Sequence, residues 1–269
     1  MSLKLTLHTQ PDVPLEADIL APDKLGKLGL KEVEKATIYH GNVQTALADF
    51  FTVSGTANGE LVLEGDLSRV KHIGSGMTAG KLSVYGNAGA HLGTGMQGGT
   101  VYVEGNAADW VAPEMAGGRI HITGNAGHMV GSAYRGGAVG MTGGEIIING
   151  NVGNETGHAM RNGLIAVGGD AGDFTGVDML AGTIAVCGRM GIRNGAGMKR
   201  GTIISMHDTE MLPTFSYACC YHPTYLRIYL QYLVNQGLNI DDSMITGRYE
   251  RWCGDAVELN KGEILLYKA

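Results

Sequence analysis

The sequence predicts an all-β fold, a right-handed parallel β-helix, and three repeating features of the stretch Glu60–Gly201 support this. The stretch divides into seven blocks, most of about 19 residues, and a fixed period near 20 is typical of a solenoid. Each block opens with alternating apolar residues followed by a glycine, and a methionine recurs near the end of each block. We expect one block per turn, and a right-handed coil because parallel crossover connections are right-handed.

The opening residues of each block predict a short strand, since apolar side chains recur there at every second position. The side chains at the second and fourth positions are expected to point into the coil. The second-position column consists of Leu61, Leu82, Val101, Ile120, Ile146, Ile165, Ile184 and Ile203. The fourth-position column consists of Leu63, Val84, Val103, Ile122, Ile148, Val167 and Val186.

A glycine at the sixth position ends each predicted strand, and Asn or Asp follows it in six of the seven blocks. We expect a positive φ at this glycine, since glycine adopts left-handed conformations without steric cost. The column consists of Gly65, Gly86, Gly105, Gly124, Gly150, Gly169 and Gly188.

The methionine column predicts an internal ladder of thioethers. A residue at constant phase stacks on its equivalents in neighbouring turns, and methionine fills irregular gaps in protein cores. A thioether metal site would need several soft ligands on one shared centre, so we favour core packing. The column, fourth from the closing glycine of each block, consists of Met77, Met96, Met115, Met141, Met160, Met179 and Met198.

Residues 1–59 lack the repeat and are predicted to cap the start of the coil, since an open solenoid end exposes a strand edge. Leu3–His8 alternates and predicts an edge strand. Leu25–Glu34 predicts a helical turn or two, and Ala36–Asn42 predicts a degenerate turn of the repeat. Phe50–Gly55 predicts a strand that leads into the first block.

After the coil, assigned to residues 60–205, residues 206–269 are predicted to form the other cap. Pro223 and Gly237 bound a predicted helix, because proline suits the first helical turn and glycine the position after the end. One face of this helix is leucine-rich and is expected to pack on the coil. A hairpin is predicted around Asn260–Gly262.

Composition argues against several functional classes. The chain has 269 residues and a net charge of −6, so it offers no basic surface to neutralise nucleic-acid phosphates. No apolar run reaches about 18 residues and no signal-peptide pattern opens the chain, which predicts a soluble, cytoplasmic protein. The cysteines form neither a disulfide framework nor a zinc spacing, so we expect free, buried thiols at Cys187, Cys219, Cys220 and Cys253.

The sequence predicts no catalytic, cofactor or metal site. Gly93–Gly98 matches the GxGxxG pattern, but a strand rather than a helix follows it, which argues against dinucleotide binding. The nine histidines form no closely spaced ligand pair. No Ser-His-Asp or Cys-His constellation is visible.

Two places hold candidates for contacts with other subunits, since aromatic residues and arginines dominate interface energies. The fourth block contains an insertion with Tyr134 and Arg135, and insertions in solenoids form loops on one face. A solvated loop without a role is the alternative for this insertion. The second place, whose aromatic residues a capping role would also explain, holds Phe215, Tyr217, Tyr225, Arg227, Tyr229 and Tyr232.

The repeat and its flanks resemble a known family. The elements Gly74–Met77, Gly93–Met96 and Gly195–Met198, with the Gly-Asn-Ala-Gly turns, resemble the GXGXG β-helix at the C-terminus of glutamate synthase large subunits. Together with His40–Gly55 and Leu212–Phe215, nearly the whole chain resembles the C subunit of formylmethanofuran dehydrogenase and of the bacterial formyltransferase/hydrolase complex.

This resemblance implies a docking subunit of a formyl-processing complex, without a redox centre or cofactor of its own. Such a subunit holds formyl-hydrolysing and formyl-transferring subunits together, meets a methanofuran-type carrier only through the complex, and leaves the family's metals to its partners. One alternative is a stand-alone subunit like the β-helix of glutamate synthase, acting in ammonia transfer. The other is a carbohydrate-active β-helix enzyme, which needs paired acids on one face. The outward strand positions offer no such pair; they are Ser83, Tyr102, His121, Ile147, Ala166 and Ala185.

Overall fold

The computed structural model, which describes residues 2–269, is mostly β and solenoid-like. Within this range thirteen strands form one large sheet and four short strands form a second. The strands of the N-terminal segment are β1 (Leu3–Leu7), β2 (Leu15–Glu16), β3 (Thr37–His40), β4 (Val43–Ala46) and β5 (Phe51–Ser54). Its helices are α1 (Pro22–Leu25) and α2 (Leu30–Glu34), and a 3-10 turn spans Leu47–Asp49.

The coil places one strand of each turn in the large sheet. Neighbouring strands pair in parallel and in register, so that Leu61 lies beside Leu82 and Ile184 beside Ile203. The second- and fourth-position columns are fully buried, which confirms that these side chains fill the coil. The strands are β6 (Glu60–Glu64), β7 (Val70–Lys71), β8 (Lys81–Tyr85), β9 (Thr100–Glu104), β10 (Arg119–Ile122), β11 (Glu145–Ile148), β12 (Leu164–Val167), β13 (Thr183–Val186) and β14 (Arg200–Ser205), of which β7 belongs to the second sheet.

Two N-terminal predictions are wrong. Strand β1 is not the sheet edge, because it pairs in parallel with β6 and antiparallel with β5, which forms the edge instead. Leu3 and Leu5 lie in register with Leu61 and Leu63, so β1 extends both apolar columns by one strand. Strand β3 is not a degenerate turn of the repeat, since it pairs antiparallel with β2 and β4 in the second sheet.

The predicted burial of the methionine ladder is confirmed, since all seven side chains are fully buried. Each methyl group lies against the closing glycine of the next turn. A β-carbon built on Gly99 would come within 2.5 Å of Met77 Cε, and one on Gly163 within 2.7 Å of Met141 Cε. The thioethers therefore fill the space that these glycines leave open.

The glycines that end the strands are required for two different reasons. Gly65, Gly86 and Gly105 have positive φ, as predicted, whereas Gly124 and the glycines after it in the column do not. The predicted positive φ at Gly124 is therefore wrong. A β-carbon there would lie 2.5 Å from the carbonyl oxygen of Gly105, so stacked turns approach too closely for any side chain.

Polar side chains join each turn to the next. The side-chain oxygen of Asn106 accepts the backbone N–H of Asn125 at 2.8 Å, and Asn125 does the same for Asn151 at 2.8 Å. In a second ladder, a carboxylate oxygen of Asp109 accepts the N–H of His128 at 2.8 Å. These ladders satisfy backbone donors at the turns, where the strand pairing has ended.

The C-terminal segment adds one more strand to the coil. Strand β17 pairs in parallel with β14, with Gly262 beside Gly201, and antiparallel with β16. The predicted hairpin around Asn260–Gly262 is wrong: the hairpin joins β16 to β17 through residues 255–260, and Lys261 and Gly262 already belong to β17. The elements are β15 (Ser216–Tyr221), α3 (Leu226–Asn235), α4 (Asp242–Thr246), β16 (Arg248–Gly254) and β17 (Lys261–Lys268).

Helix α3 covers part of the outer face of the large sheet. Its buried residues Leu226, Leu230 and Leu233 pack with the outward-pointing Ile147 and Ala185 in one apolar cluster. Outward positions of the later turns are therefore apolar because the helix covers them. The equivalent positions of two earlier turns hold Tyr102 and His121, which remain half-buried.

Candidate functional site

One edge of the coil carries a column of non-glycine residues in the left-handed conformation, with φ between 60° and 66°. Such residues are uncommon, and they persist only where the surrounding structure holds them. The sequence does not reveal this column, because its members share no side-chain chemistry. We call it the left-handed column, and it consists of His72, His91, Trp110, Met129, Glu155, Phe174 and Arg193.

Aromatic rings stack along the first three turns of this column. The ring centroids of His72 and His91 are 4.7 Å apart, with an angle of 11° between the ring planes. His91 and Trp110 follow at 6.1 Å and 18°. The ring of Tyr134, which comes from the insertion, stacks on Trp110 at 4.9 Å and 26°. Four side chains from four places in the sequence thus form one stack of nearly parallel rings, which we call the aromatic wall.

Hydrogen bonds fix Tyr134 against this wall. Its hydroxyl lies 2.9 Å from His91 Nδ1 and 3.1 Å from Thr94 Oγ1, and its backbone N–H donates to Glu114 at 3.3 Å. Burial raises the pKa of Tyr134 and lowers the pKa of both His72 and His91, which favours the neutral form of each side chain. The insertion is therefore tied to the coil through Tyr134, while Arg135 is exposed.

A cavity of about 470 Å³ opens between this wall and the N-terminal segment, within the range of pockets that hold ligand groups. We call it the aromatic cleft. Its lining combines rings, hydroxyl groups and two exposed carboxylates, and consists of Glu16, Asp18, Tyr39, His72, Ser75, Thr94 and Tyr134.

Helix α3 presents a second candidate surface. Beside its buried leucines, Tyr225 is 44% exposed, Ile228 76% and Tyr229 43%. We call these three residues the tyrosine face. Tyr225 precedes Ile228 by three residues and Tyr229 by four, so the three side chains lie on one side of the helix. Arg227 is exposed beside them. Exposed aromatic and apolar side chains grouped on one side of a helix are typical of interaction surfaces.

The remaining sequence candidates lie elsewhere. Phe215 is only 5% exposed, and its ring lies where a β-carbon on Gly195 or Gly254 would sit, so it packs inside the chain. The hydroxyl of Tyr232 accepts a hydrogen bond from Arg119 at 2.7 Å, and burial raises its pKa to about 12. Tyr217 is 53% exposed and meets Trp252 edge to face. Of the six C-terminal candidates, Phe215, Tyr217, Tyr225 and Tyr232 thus have structural partners within this chain.

Among residues 2–269, no three His, Cys, Asp or Glu side chains are placed to share a metal ion. Over the same residues, no helix combines the length and the apolar character that crossing a membrane requires.

Known proteins resemble this chain in sequence and in structure. No protein-family model matches the sequence. The C subunit of the molybdenum-containing formylmethanofuran dehydrogenase 1 of Methanothermobacter thermautotrophicus is 46% identical over 91 residues, which is 33% of this chain and 23% of that protein. The C subunit of the tungsten-containing formylmethanofuran dehydrogenase 2 of the same organism is 41% identical over 88 residues, 31% of this chain and 33% of that protein. These matches span a third or less of each relative.

A match along the whole chain comes from a crystal structure of the formyltransferase/hydrolase complex from Methylorubrum extorquens, in complex with methylofuran. One chain of it is 32% identical, with a TM-score of 0.92, and the match covers 99% of this chain and 100% of that chain. The chain belongs to the C-subunit family of formylmethanofuran dehydrogenases and formyltransferase/hydrolase complexes. The family resemblance found in the sequence is thereby confirmed. In this member of the C-subunit family, the aromatic cleft and the tyrosine face both carry residue types that are common in interfaces.

Proposed function

We propose that this chain is a docking and scaffold subunit of a multi-subunit complex that processes formyl groups on a methanofuran-type carrier. The observation that carries the proposal is the full-length match to one chain of a formyltransferase/hydrolase complex, at 32% identity and a TM-score of 0.92. Of the two complex types in the family, this match favours the formyltransferase/hydrolase type over a molybdenum or tungsten dehydrogenase.

The tyrosine face supports the docking role. A few buried aromatic and apolar anchors supply most of the energy of a protein interface. On α3, Ile228 is the most exposed large apolar residue of the helix and is flanked by two exposed tyrosines. A partner that covers this face buries an apolar surface without disturbing the leucines that hold α3 to the sheet.

In this proposal the chain supplies position rather than chemistry. The coil is a right-handed parallel β-helix with a cap at each end, and it works in the cytoplasm. It holds no metal or redox cofactor of its own, and the carrier reaches it only through the assembled complex. Formyl hydrolysis and transfer are the work of the partner subunits.

The test is to express the tagged chain in its native host and to identify the co-eluting proteins by mass spectrometry after size-exclusion chromatography. We expect the formyltransferase and hydrolase subunits of the complex in fixed ratio, with hydrolysis of a formylated carrier in the complex and none in the isolated chain. Metal analysis of the isolated chain should find no stoichiometric molybdenum, tungsten or zinc. A chain that elutes alone, or that hydrolyses the carrier by itself, overturns the proposal.

A matched pair of variants tests the tyrosine face. Ile228→Asp places a charge in the proposed interface, and we expect it to weaken assembly by about tenfold or more. Gln231→Ala alters an exposed polar residue of the same helix and serves as the control. Assembly of Ile228→Asp at the affinity of the control would exclude the tyrosine face from the interface.

A further inference from the structure

The aromatic cleft has two chemically distinct walls. On one side are the rings of His72 and Tyr134, while the 41% exposed Tyr39 lies beside Glu16 on the neighbouring strand. On the other side, Glu16 at the end of β2 and Asp18 two residues later expose their carboxylates. Aromatic faces and carboxylates share one preference, which is for organic cations.

Two lysines lie near the two acidic residues of the cleft. Lys71 Nζ lies 4.0 Å from Glu16, which is a long contact between two partly exposed groups. Lys24 Nζ donates a hydrogen bond at 2.6 Å to Asp18, but to its backbone carbonyl oxygen and not to its carboxylate. Among residues 2–269, the carboxylate of Asp18 therefore has no ion pair within 4.0 Å, and it can accept hydrogen bonds from a further cation.

The wall is built before any ligand arrives. His72 and His91 are held at φ 62° and 65°, and Tyr134 is fixed by bonds to His91 and Thr94. Residues held in uncommon backbone conformations cluster at ligand clamps, and rigid walls lower the entropic cost of binding. The rings of Trp110 and Tyr134 lie nearly parallel, so they form a stack rather than an enclosing cage, and of the two only Tyr134 lines the cleft.

The flat face of an aromatic ring beside a carboxylate binds a guanidinium group better than an ammonium group. Guanidinium is planar, stacks on aromatic faces and donates two parallel hydrogen bonds to a carboxylate, whereas ammonium is compact and strongly hydrated. We infer that the aromatic cleft receives the side chain of an arginine from another subunit, which stacks on the Tyr134 wall and donates to Asp18 and Glu16. The source of this arginine rests on the proposed function, but the chemistry of the cleft does not.

The test uses the full chain alone and the fluorescence of Trp110 at the aromatic wall. Only two tryptophans occur in the chain, so Trp252→Phe leaves Trp110 as the single reporter. The probe is the tripeptide acetyl-Gly-Arg-Gly-amide, and the control peptide carries citrulline, which has the shape of arginine without its charge. We expect a saturable change of Trp110 fluorescence with the arginine peptide only, weakened by added salt. Equal responses to the two peptides, or no response to either, overturn the inference.

Variants of the two carboxylates test whether the arginine peptide binds in the aromatic cleft. We expect Asp18→Asn and Glu16→Gln each to weaken binding of the arginine peptide about two- to fivefold, as befits exposed ion pairs. Glu104→Gln removes the same charge from an exposed position outside the cleft and should leave binding unchanged. Undiminished binding in the double variant Glu16→Gln/Asp18→Asn, with an unchanged circular dichroism spectrum, rules the cleft out.

Failure of this inference is distinguishable from failure of the proposed function. If the chain binds the arginine peptide but co-elutes with no partner of the complex, the inference about the cleft stands and the proposed docking role is wrong. If the chain assembles but does not bind the peptide, the proposed docking role stands and the inference about the cleft is wrong. In the assembled complex, Asp18→Arg should weaken assembly more than Glu104→Arg, because only the first places a like charge against the bound arginine.

Discussion

The terminal methyl group of Met96 lies against Gly118 of the next turn, where a β-carbon on Gly118 would come within 2.7 Å of it. The same relationship joins Met198 to Gly262, where the distance would be 2.6 Å. Gly262 lies in β17, far along the chain from the repeat, and pairs beside Gly201. The ladder of methionine on glycine thus continues through the last strand of the coil.

This packing predicts the effect of shortening Met96. Met96→Ala leaves a cavity against Gly118 and should lower the free energy of unfolding by about 2–5 kcal/mol. Met96→Leu keeps most of the volume and should cost less than about 1.5 kcal/mol. Urea denaturation followed by circular dichroism compares the two, and equal midpoints would show that the site collapses around the missing atoms.

Substitutions at two glycines distinguish the stability cost of backbone strain from the stability cost of a steric clash. Gly76 has φ 62° with nothing within 4 Å of an added β-carbon, so Gly76→Ala should cost only the left-handed strain, about 1–2 kcal/mol. Gly124 lacks the positive φ, but its β-carbon would lie 2.5 Å from both Gly105 O and Asn106 Oδ1. Gly124→Ala should therefore destabilise the chain more than Gly76→Ala, and Gly124→Val more still. Thermal melting that ranks Gly76→Ala as the worst of the three would contradict this explanation.

The side-chain ladder at the turns predicts a graded response at Asn106. Asn106→Ala removes the acceptor for the N–H of Asn125, and we expect a loss of about 0.5–1.5 kcal/mol. Asn106→Asp keeps that acceptor, as Asp170 does for the N–H of Arg189 in the same column, so its cost should be smaller. Hydrogen exchange of the Asn125 amide gives a local check, since its protection should fall in the alanine variant alone.

The insertion predicts unequal roles for its two candidate residues. Tyr134→Phe removes the hydroxyl that bonds to His91 and Thr94 and should destabilise the chain by about 0.5–1.5 kcal/mol. Arg135 is exposed, so Arg135→Ala should change stability by less than about 0.5 kcal/mol. The strand signature in circular dichroism should persist in both variants. A larger loss of stability in Arg135→Ala than in Tyr134→Phe would show that Tyr134 is not the residue that holds the loop.

The four thiols are free, as predicted, but only Cys187 is buried, while Cys219 is exposed and the other two are intermediate. Burial raises the pKa of Cys187 to about 12, and because thiolate is the reactive form, the native protein should protect this thiol at about pH 8. Iodoacetamide should modify Cys219 first and Cys187 only after unfolding, as measured by peptide mass spectrometry. Rapid native labelling of Cys187 would show that the α3 region opens.

Features that arise within the repeat could be predicted from the sequence, whereas features that depend on contacts between distant segments could not. The apolar columns, the methionine ladder and the family resemblance were all predicted from the sequence, because a repeat places equivalent residues at equivalent positions. The aromatic cleft could not be predicted, since Tyr134 meets His91 and Trp110 only after the insertion folds back across two turns. The covered outer face was hidden for the same reason: Ile147 and Ala185 lack an explanation until α3 lies over them.

The sequence by itself determined the repeat, the strand positions and which side chains point inward, because stacking in register turns a local pattern into a core. Only the tertiary structure decided how that coil ends and what its surface offers. Strands β1 and β17 extend the sheet through pairings between distant parts of the chain, and such pairings leave no periodic trace in the sequence. The requirement for glycine at Gly124 likewise comes from the neighbouring turn, because the spacing between stacked backbones is a property of the coil and not of the residue.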